Sequence, residues 1–439
     1  MKSISVRVCS GPLILLVLTA ALVRAQGPKP ASYTITDIGT LGGVNSFTYS
    51  INDSGMVAGG ANTSGQNDSV AQTGFLWYGG QPINLDTLGG AACPDCSSEG
   101  AAASPNRSVA MLSETAIPDP NGEDFCEFNV NRPSRTNHQC LGAVWRDGIL
   151  SALPTLPGGS NAQVFFANKQ GEVVGVSEIG VPDNTCATPF QVRRFEAAKW
   201  SLSGIPTPLH PLAGDTVSFA FMNNDVGQAV GMSGLCSNVV LPPFVGPVGP
   251  HAVLWDTDGT AHDLTPSGAA GVLSIANSIN NRGDVVLNSL MSDGIIHSFL
   301  WTRNSGIPQD LGTFPNGAVV TIVPCCNNIN DRGQIVGFSL DDGGNLTALL
   351  WPSENAAPVD LNSLVPAHSP WYLMNPGGIS DAGEIATTAL NLNTFEVHAV
   401  VVSPIAGIGP EARGATKPPA LPNKVRERIQ HLASLNLTN

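Results

Sequence analysis

"INDRGQIVGFS", residues Ile329–Ser339, reads as a β-hairpin. An apolar residue leads into Asn330, two polar residues and Gly333, and an alternating apolar run follows. Asn opening a type I turn bonds its own backbone, and Gly takes the left-handed position of a bulged hairpin. "INDSGMVAGGA" (Ile51–Ala61) and "INNRGDVVLNS" (Ile279–Ser289) repeat the phrase. Aligned on this turn, the chain falls into seven units, with Asn52–Gly55, Asn168–Gly171, Asn224–Gly227, Asn280–Gly283, Asn330–Gly333 and Ser380–Gly383 as the clear copies. The second unit has Ser104-Pro105-Asn106-Arg107. Arg107 stands in the Gly position, so that turn is expected to be rearranged.

A second mark follows each hairpin. Trp77, Trp145, Trp200, Trp255, Trp301 and Trp351 end short apolar runs, and Val401 takes the slot in the last unit. The spacings are 68, 55, 55, 46, 50 and 50 residues, and six of the seven tryptophans occupy this one position. A large flat side chain at a fixed repeat position is expected to be inter-unit core. After each Trp comes a turn and a short Asp-Leu-type segment, as in "PQDLGTFPNG" and "PVDLNSLVP". Each unit thus holds four short strands and cannot bury both faces alone.

This pattern predicts an all-β chain, a seven-bladed β-propeller of four-stranded blades, over another β-repeat array. "YTITDIGTLGG" (Tyr33–Gly43) is a fourth-type strand placed before the first unit, while the seventh unit lacks one. The N-terminal strand is therefore expected to close the last blade. The units lie near 44–90, 91–159, 160–214, 215–268, 269–317, 318–366 and 367–404, the last closed by 33–43.

The repeats resemble the extracellular HAF repeat proteins, in "TDIGTLGG" (Thr36–Gly43), the Ile-Asn-x-x-Gly hairpins, "HSFLW" (His297–Trp301) and "HAVLW" (His251–Trp255). The resemblance spans about Tyr33 to Pro404. It implies secretion and a propeller-like repeat fold, and it transfers no catalytic residue. The complete His-Ala-Phe triplet is absent here.

The ends differ from the repeats. Lys2 and Arg7 precede the apolar run Gly11–Val23, and "VRA" ends at Ala25, so residues 1–25 read as a signal peptide. Residues 405–439 read as a Pro/Gly linker and a short basic C-terminal helix over 422–435, with Val425, Ile429 and Leu432 on one side. The net charge is −14, and −17 once Lys2, Arg7 and Arg24 leave. Such an acidic chain does not suit nucleic acid, whose phosphates require Lys and Arg. No membrane span is expected after cleavage.

Eight cysteines remain beyond the leader, an even number that suits disulfides in an exported chain. Cys126 with Cys140 is the first pairing expected, contributing roughly 3 kcal/mol by loop closure. Cys186 and Cys236 could join neighbouring loops. Cys93-Pro-Asp-Cys96 and the adjacent Cys325 and Cys326 complete the candidates. The Cys-x-x-Cys spacing also suits metal ligands, but in an exported chain the disulfide reading is preferred, and no metal or cofactor is assigned.

Where the repeats differ, activity is expected. Three adjacent units carry long insertions between their second and third strands: Ser113–Cys140, Ser177–Glu196 and Ser233–Pro250. They share one rim, opposite the Asn-x-x-Gly turns. Residues 26–404 hold 12 Lys and Arg, and four of these arginines fall in two insertions. Arg132, Arg135, Arg193 and Arg194, with His138, Phe190 and Phe244, are the binding candidates, since guanidinium forks hold oxyanions. Solvated charge paired with Glu123, Asp124 and Glu196 is the competing reading. Asp119, Glu123, Asp124 and His138 are the one dense acid/base group, but no nucleophile elbow, zinc-protease or phosphate-loop motif is present, and no catalytic residue is assigned. His251, His297 and His398 share one repeat slot, and Asp37, Asp263, Asp310 and Asp360 another, so both sets read as structural. The sequence therefore points to a secreted, non-enzymatic binding or scaffolding module for an extracellular protein or glycan. A hydrolase or lyase acting on a carbohydrate-like polymer through acid/base residues of the blade-two insertion is the alternative.

Overall fold

The computed structural model describes residues 33–64, 72–123, 125–126, 137–186, 191–201, 203–239, 249–312, 319–321, 326–340, 345–366, 368–405, 423 and 425–426. Four antiparallel strands, Ser46–Ile51, Val57–Asn62, Gln72–Trp77 and Ile83–Asn84, pair in sequence order as blade one. Five further blades repeat that order. In the seventh, Trp371–Ile379, Ile385–Asn391 and Val397–Pro404 are completed by the N-terminal strand Tyr33–Gly39, which runs against the last strand from Tyr33 opposite Pro404 to Asp37 opposite Val400. The chain is a seven-bladed propeller closed by its own N-terminus. The one short α-helix among the described strands is Cys236–Val239. The expected C-terminal helix falls mostly outside the described residues, but Asn423, Val425 and Arg426 are helical, and Val425 is buried against Tyr372, Met374 and Leu390 of blade seven.

The Asn-x-x-Gly turns form as their chemistry dictates. Asn330 Oδ1 accepts from the N–H groups of Arg332 (3.1 Å) and Gln334 (2.9 Å), and Gly333, at φ +76°, donates its N–H to Asn330 O. The expectation for blade two is corrected. Its turn is not rearranged: Ser104 N–H bonds Ser108 O and Arg107 N–H bonds Ser104 O, as in the other copies. Arg107 adopts φ +64°, and its guanidinium lies 4.6 Å from the centroid of the Tyr78 ring. The cation–π contact is of about the same size as the backbone strain, so the turn survives without its glycine.

The first strand of most blades bulges a few residues before the turn, for example between Val164 and Phe166 and between Ala220 and Met222. A bulge tightens the local twist near the axis. It also presses a carbonyl against the second strand: a Cβ on Gly231 would sit 1.8 Å from Phe219 O. Only glycine fits there.

The Trp slot is inter-blade core, and in blade seven the register puts Val402 in it rather than the expected Val401, opposite Ile385 as Trp351 is opposite Ile335. Trp200, Trp255 and Trp351 are fully buried. Their indole N–H groups donate to carbonyls of the preceding blade, at Pro154 (2.7 Å), His210 (2.8 Å) and Leu311 (3.2 Å). Each Trp thus contributes apolar area and one satisfied polar contact between blades. The repeated Asp slot ends a strand: Asp37, Asp263, Asp310 and Asp360 each accept a backbone N–H two residues on. His398 and His297 bond Asp37 and Asp310 across the same blade edge.

Candidate functional site

The two ends of the propeller are chemically different. At one end the seven hairpin turns meet around the axis. Four opening side chains donate to the opening carbonyl of the next blade: Asn168 to Asn224, Asn224 to Asn280, Asn280 to Asn330 and Asn330 to Ser380, at 2.9–3.1 Å. The second turn residues form a parallel chain, in which the N–H groups of Lys169, Asp225, Asn281, Asp331 and Asp381 donate to the side chains of Asp225, Asn281, Asp331, Asp381 and Asp53. Blade two offers Pro105 here, which has no N–H to place. Lys169 spans that gap, with Nζ 2.8 Å from Asp53 and 3.3 Å from Asp225. Asp53 raises the Lys169 pKa. Burial works against ionisation of Asp53, but the bonds from Lys169 and Asp381 outweigh it and hold its carboxyl below the usual range. Asp381 is pushed up by burial and by the negative charges of Asp53 and Asp331. The mouth encloses about 90 Å³ between the turns.

At the opposite end stand the insertions. In blade two, Val109–Pro118 and His138–Arg146 run on past the sheet, with Pro118 opposite His138. In blade three, Val173–Pro182 and Arg193–Trp200 do the same, with Pro182 opposite Arg193. The two share a phrase that the repeat alignment passed over, "SETAIPD" (Ser113–Asp119) and "SEIGVPD" (Ser177–Asp183). The shared letters have shared jobs. Glu114 and Glu178 accept backbone N–H groups of the connection entering their blade. Asp119 Oδ1 accepts from Asn121 and Glu123, and Asp183 Oδ1 from Thr185. The Thr185 hydroxyl and then Arg194 hold Asp183 low.

Three disulfides form among the described residues: Cys93–Cys96, Cys126–Cys140 and Cys186–Cys236. The first two are local, and the third ties the blade-three insertion to blade four. The second and third pack on an apolar floor that includes Leu112, Phe125, Phe195, Phe219 and Phe221. Phe219 packs on Phe221 with ring centroids 4.8 Å apart.

A polar knot joins blades two and three. Asn161 Nδ2 donates to Asp119 Oδ2 at 2.7 Å and lies 3.2 Å from Glu178 Oε2 and 3.4 Å from Glu123 Oε2. Asn161 Oδ1 accepts from Cys140 N–H. Gln191 Nε2 donates to Glu178 Oε1 at 3.0 Å, and the Val192 N–H to Glu123 Oε1. Glu123 and Glu178 are fully buried. Burial, then the charge of Glu178, pushes the Glu123 carboxyl up to about 8. A pair this close holds one proton between two carboxyl groups at neutral pH.

The described candidates separate into distinct places. His138 faces Cys93 and Cys96, with Nδ1 3.2 and 3.4 Å from their sulfurs. Arg193 donates to Gly158 O, and Arg194 Nε to Asp183 Oδ2 at 2.8 Å. Glu196 bonds His210. Arg194 is thus held within its own loop by Asp183, and Arg193 by Gly158 of the connection entering the blade, rather than by the expected Glu123 or Glu196. Asp119 and Glu123 bond Asn161, whereas His138 bonds the cysteines. Arg132, Arg135, Asp124, Phe190, Phe244 and Cys325 lie outside the described residues, and Cys326 is buried.

Sequence reasoning passed over an exposed apolar row. Ile117 and Val181 lie at the ends of the second strands of blades two and three at 60% and 44% exposure, Leu235 directly follows that of blade four at 42%, and Val272 lies on the first strand of blade five at 46%. The signal was present as an apolar residue before Pro118 and Pro182 on the side away from the sheet core.

No protein-family model and no curated protein matches this chain. Among solved structures it is similar to an oligogalacturonate lyase in complex with manganese, at 12% identity over 86% of this chain and 97% of that one, TM-score 0.47. An oligogalacturonate lyase from Vibrio parahaemolyticus matches at 9% identity over 84% and 93%, TM-score 0.46. The β-propeller domain of the Trilobed protease from Pyrococcus furiosus matches at 10% over 84% and 95%, TM-score 0.44. Likeness at this level assigns no activity.

Proposed function

We propose that this chain is an exported, HAF-type repeat protein whose insertion face on blades two to four binds an extracellular protein without chemistry. The observation that carries this reading is the row Ile117, Val181 and Leu235, exposed on three consecutive blades above a floor braced by Cys126–Cys140 and Cys186–Cys236. Apolar side chains on a rigid base lose little entropy on docking and gain desolvation. Exposed aliphatic side chains favour a protein surface over a glycan, whose sugars would ask for aromatic platforms and open polar groups. Export is supported by the leader-like residues 1–25 and the three disulfides. No described helix is long and apolar enough to cross a membrane.

The test is a binding panel of secreted proteins and glycans against the chain from Gln26 onward. The double variant Ile117→Asp, Val181→Asp should weaken a protein hit by about tenfold or more, the scale of losing a central contact. Unchanged affinity, or a glycan hit indifferent to the substitutions, overturns the reading.

A further inference from the structure

The connection from blade one to blade two gathers three ligand atoms that the binding face does not use. Cys93 and Cys96 are 5% and 2% exposed. His138 arrives from the far strand of the blade-two insertion, where it pairs with Pro118. Its Nδ1 lies 3.2 Å from Cys93 Sγ and 3.4 Å from Cys96 Sγ, and all three atoms fall within 4.8 Å of one another. Gly89 lets the backbone close over them, since a Cβ there would stand 2.7 Å from Cys93 Cβ and 2.8 Å from Cys96 Sγ. Two sulfurs at Cys-x-x-Cys spacing plus an imidazole nitrogen form a zinc donor set.

We propose that Cys93, Cys96 and His138 are a redox-gated zinc site, shut while Cys93–Cys96 is a disulfide and zinc-binding once it is reduced. A dithiol reductant passes two electrons and two protons to the sulfur–sulfur bond and becomes a disulfide itself. Two thiols result. Zn²⁺ displaces their two protons, takes the lone pair of the His138 nitrogen, and leaves a fourth position to water. Two features favour this bridge as the labile one. It spans three residues, so it constrains the unfolded chain little. The donor atoms are already together in the oxidised fold.

A second cluster, Asp183 with Cys186 and Cys236, is equally compact but suits zinc less. Its carboxylate is engaged by Arg194 and Thr185, it has no imidazole, and its bridge joins residues 50 apart on two blades. Zinc at the first cluster would tie the connection entering blade two to His138 at the base of the blade-two insertion.

The experiment uses the chain from Gln26, zinc ion as the probe, and a phosphine reductant that ends as its oxide with oxygen from water. After reduction and gel filtration, elemental analysis should find about one zinc per chain, and close to none in the oxidised protein. Zinc should slow alkylation of Cys93 and Cys96, read residue by residue by mass spectrometry. His138→Ala should weaken zinc binding by about tenfold or more. Equal zinc in oxidised and reduced protein overturns the proposal, as does unchanged alkylation of Cys93 and Cys96 or protection of Cys186 and Cys236 instead. Alkylation is measured on the unaltered sequence, so it decides even if His138→Ala does not fold.

Discussion

Arg107 and Gly231 mark the two ways a single residue constrains this fold. Arg107 holds φ +64°, which costs an L-residue about 1 kcal/mol, and regains a similar amount over Tyr78. Arg107→Gly should therefore change stability by less than about 1 kcal/mol, the relieved strain cancelling the lost contact. Gly333→Ala, at the same turn position with no aromatic beneath it, should destabilise by about 1 kcal/mol or more. Gly231→Ala should cost more still, about 3 kcal/mol, because its Cβ would collide with the Phe219 carbonyl. Urea unfolding of the three variants ranks them. Equal losses at all three would remove the conformational argument. The turn glycines were legible in the sequence, since that hairpin position needs φ > 0; Gly231, a strand glycine facing the bulged carbonyl of Phe219, was not. That Arg107 could substitute was not, because the ring that compensates it belongs to blade one.

Among elements, the insertions of blades two and three bury a carboxyl pair whose titration makes stability depend on pH. Glu123 titrates near 8 in the fold and near the ordinary 4.5 when unfolded. Between those values the folded chain binds the extra proton. Its contribution is therefore most favourable below about 4.5, falls as pH rises, and levels off above about 8. Glu123→Gln keeps a neutral group facing Glu178 and should flatten this slope. The gain in melting temperature over the wild type should be small at pH 5 and larger at pH 8.5. A gain that does not vary with pH would place the shared proton elsewhere. The insertions themselves, their length and their common rim were plain from the broken spacing of the repeat. Their internal order was not. Glu123 and Glu178 are 55 residues apart in the chain, and only packing of blade two on blade three brings them together. The acid/base grouping of Asp119 and Glu123 with His138 had relied on closeness in sequence. Strand pairing turned the acids inward and His138 toward the cysteines.

For the whole molecule, stability depends on closing the ring. Removing residues 26–39 would strip Tyr33–Gly39 from blade seven and leave Val397–Pro404 as an open apolar edge beside blade one. Exposed edges of this kind template strand addition. The truncated chain should lose cooperative unfolding and form larger species in light scattering. A monomer with an unchanged transition would mean that the closing strand adds little.

The sequence by itself determined the number of blades, the turn that joins the first two strands of each, the Trp layer between blades, and the N-terminal strand that closes the last. Each follows from short-range chemistry repeated at intervals: a side chain bonding its own turn, an alternating strand, a large apolar residue that must find a neighbour. Tertiary structure alone decided the rest. "INDRGQIVGFS" proved to be more than a hairpin, because Asn330 also donates to Ser380 of the next blade and Asp331 both gives and receives bonds around the axis. The same holds for Lys169 across the Pro105 gap, for the carboxyl pair under the insertions, and for His138 against Cys93 and Cys96. These contacts join residues tens to hundreds of positions apart. Ring closure sets their distances, and no local pattern in the chain encodes them.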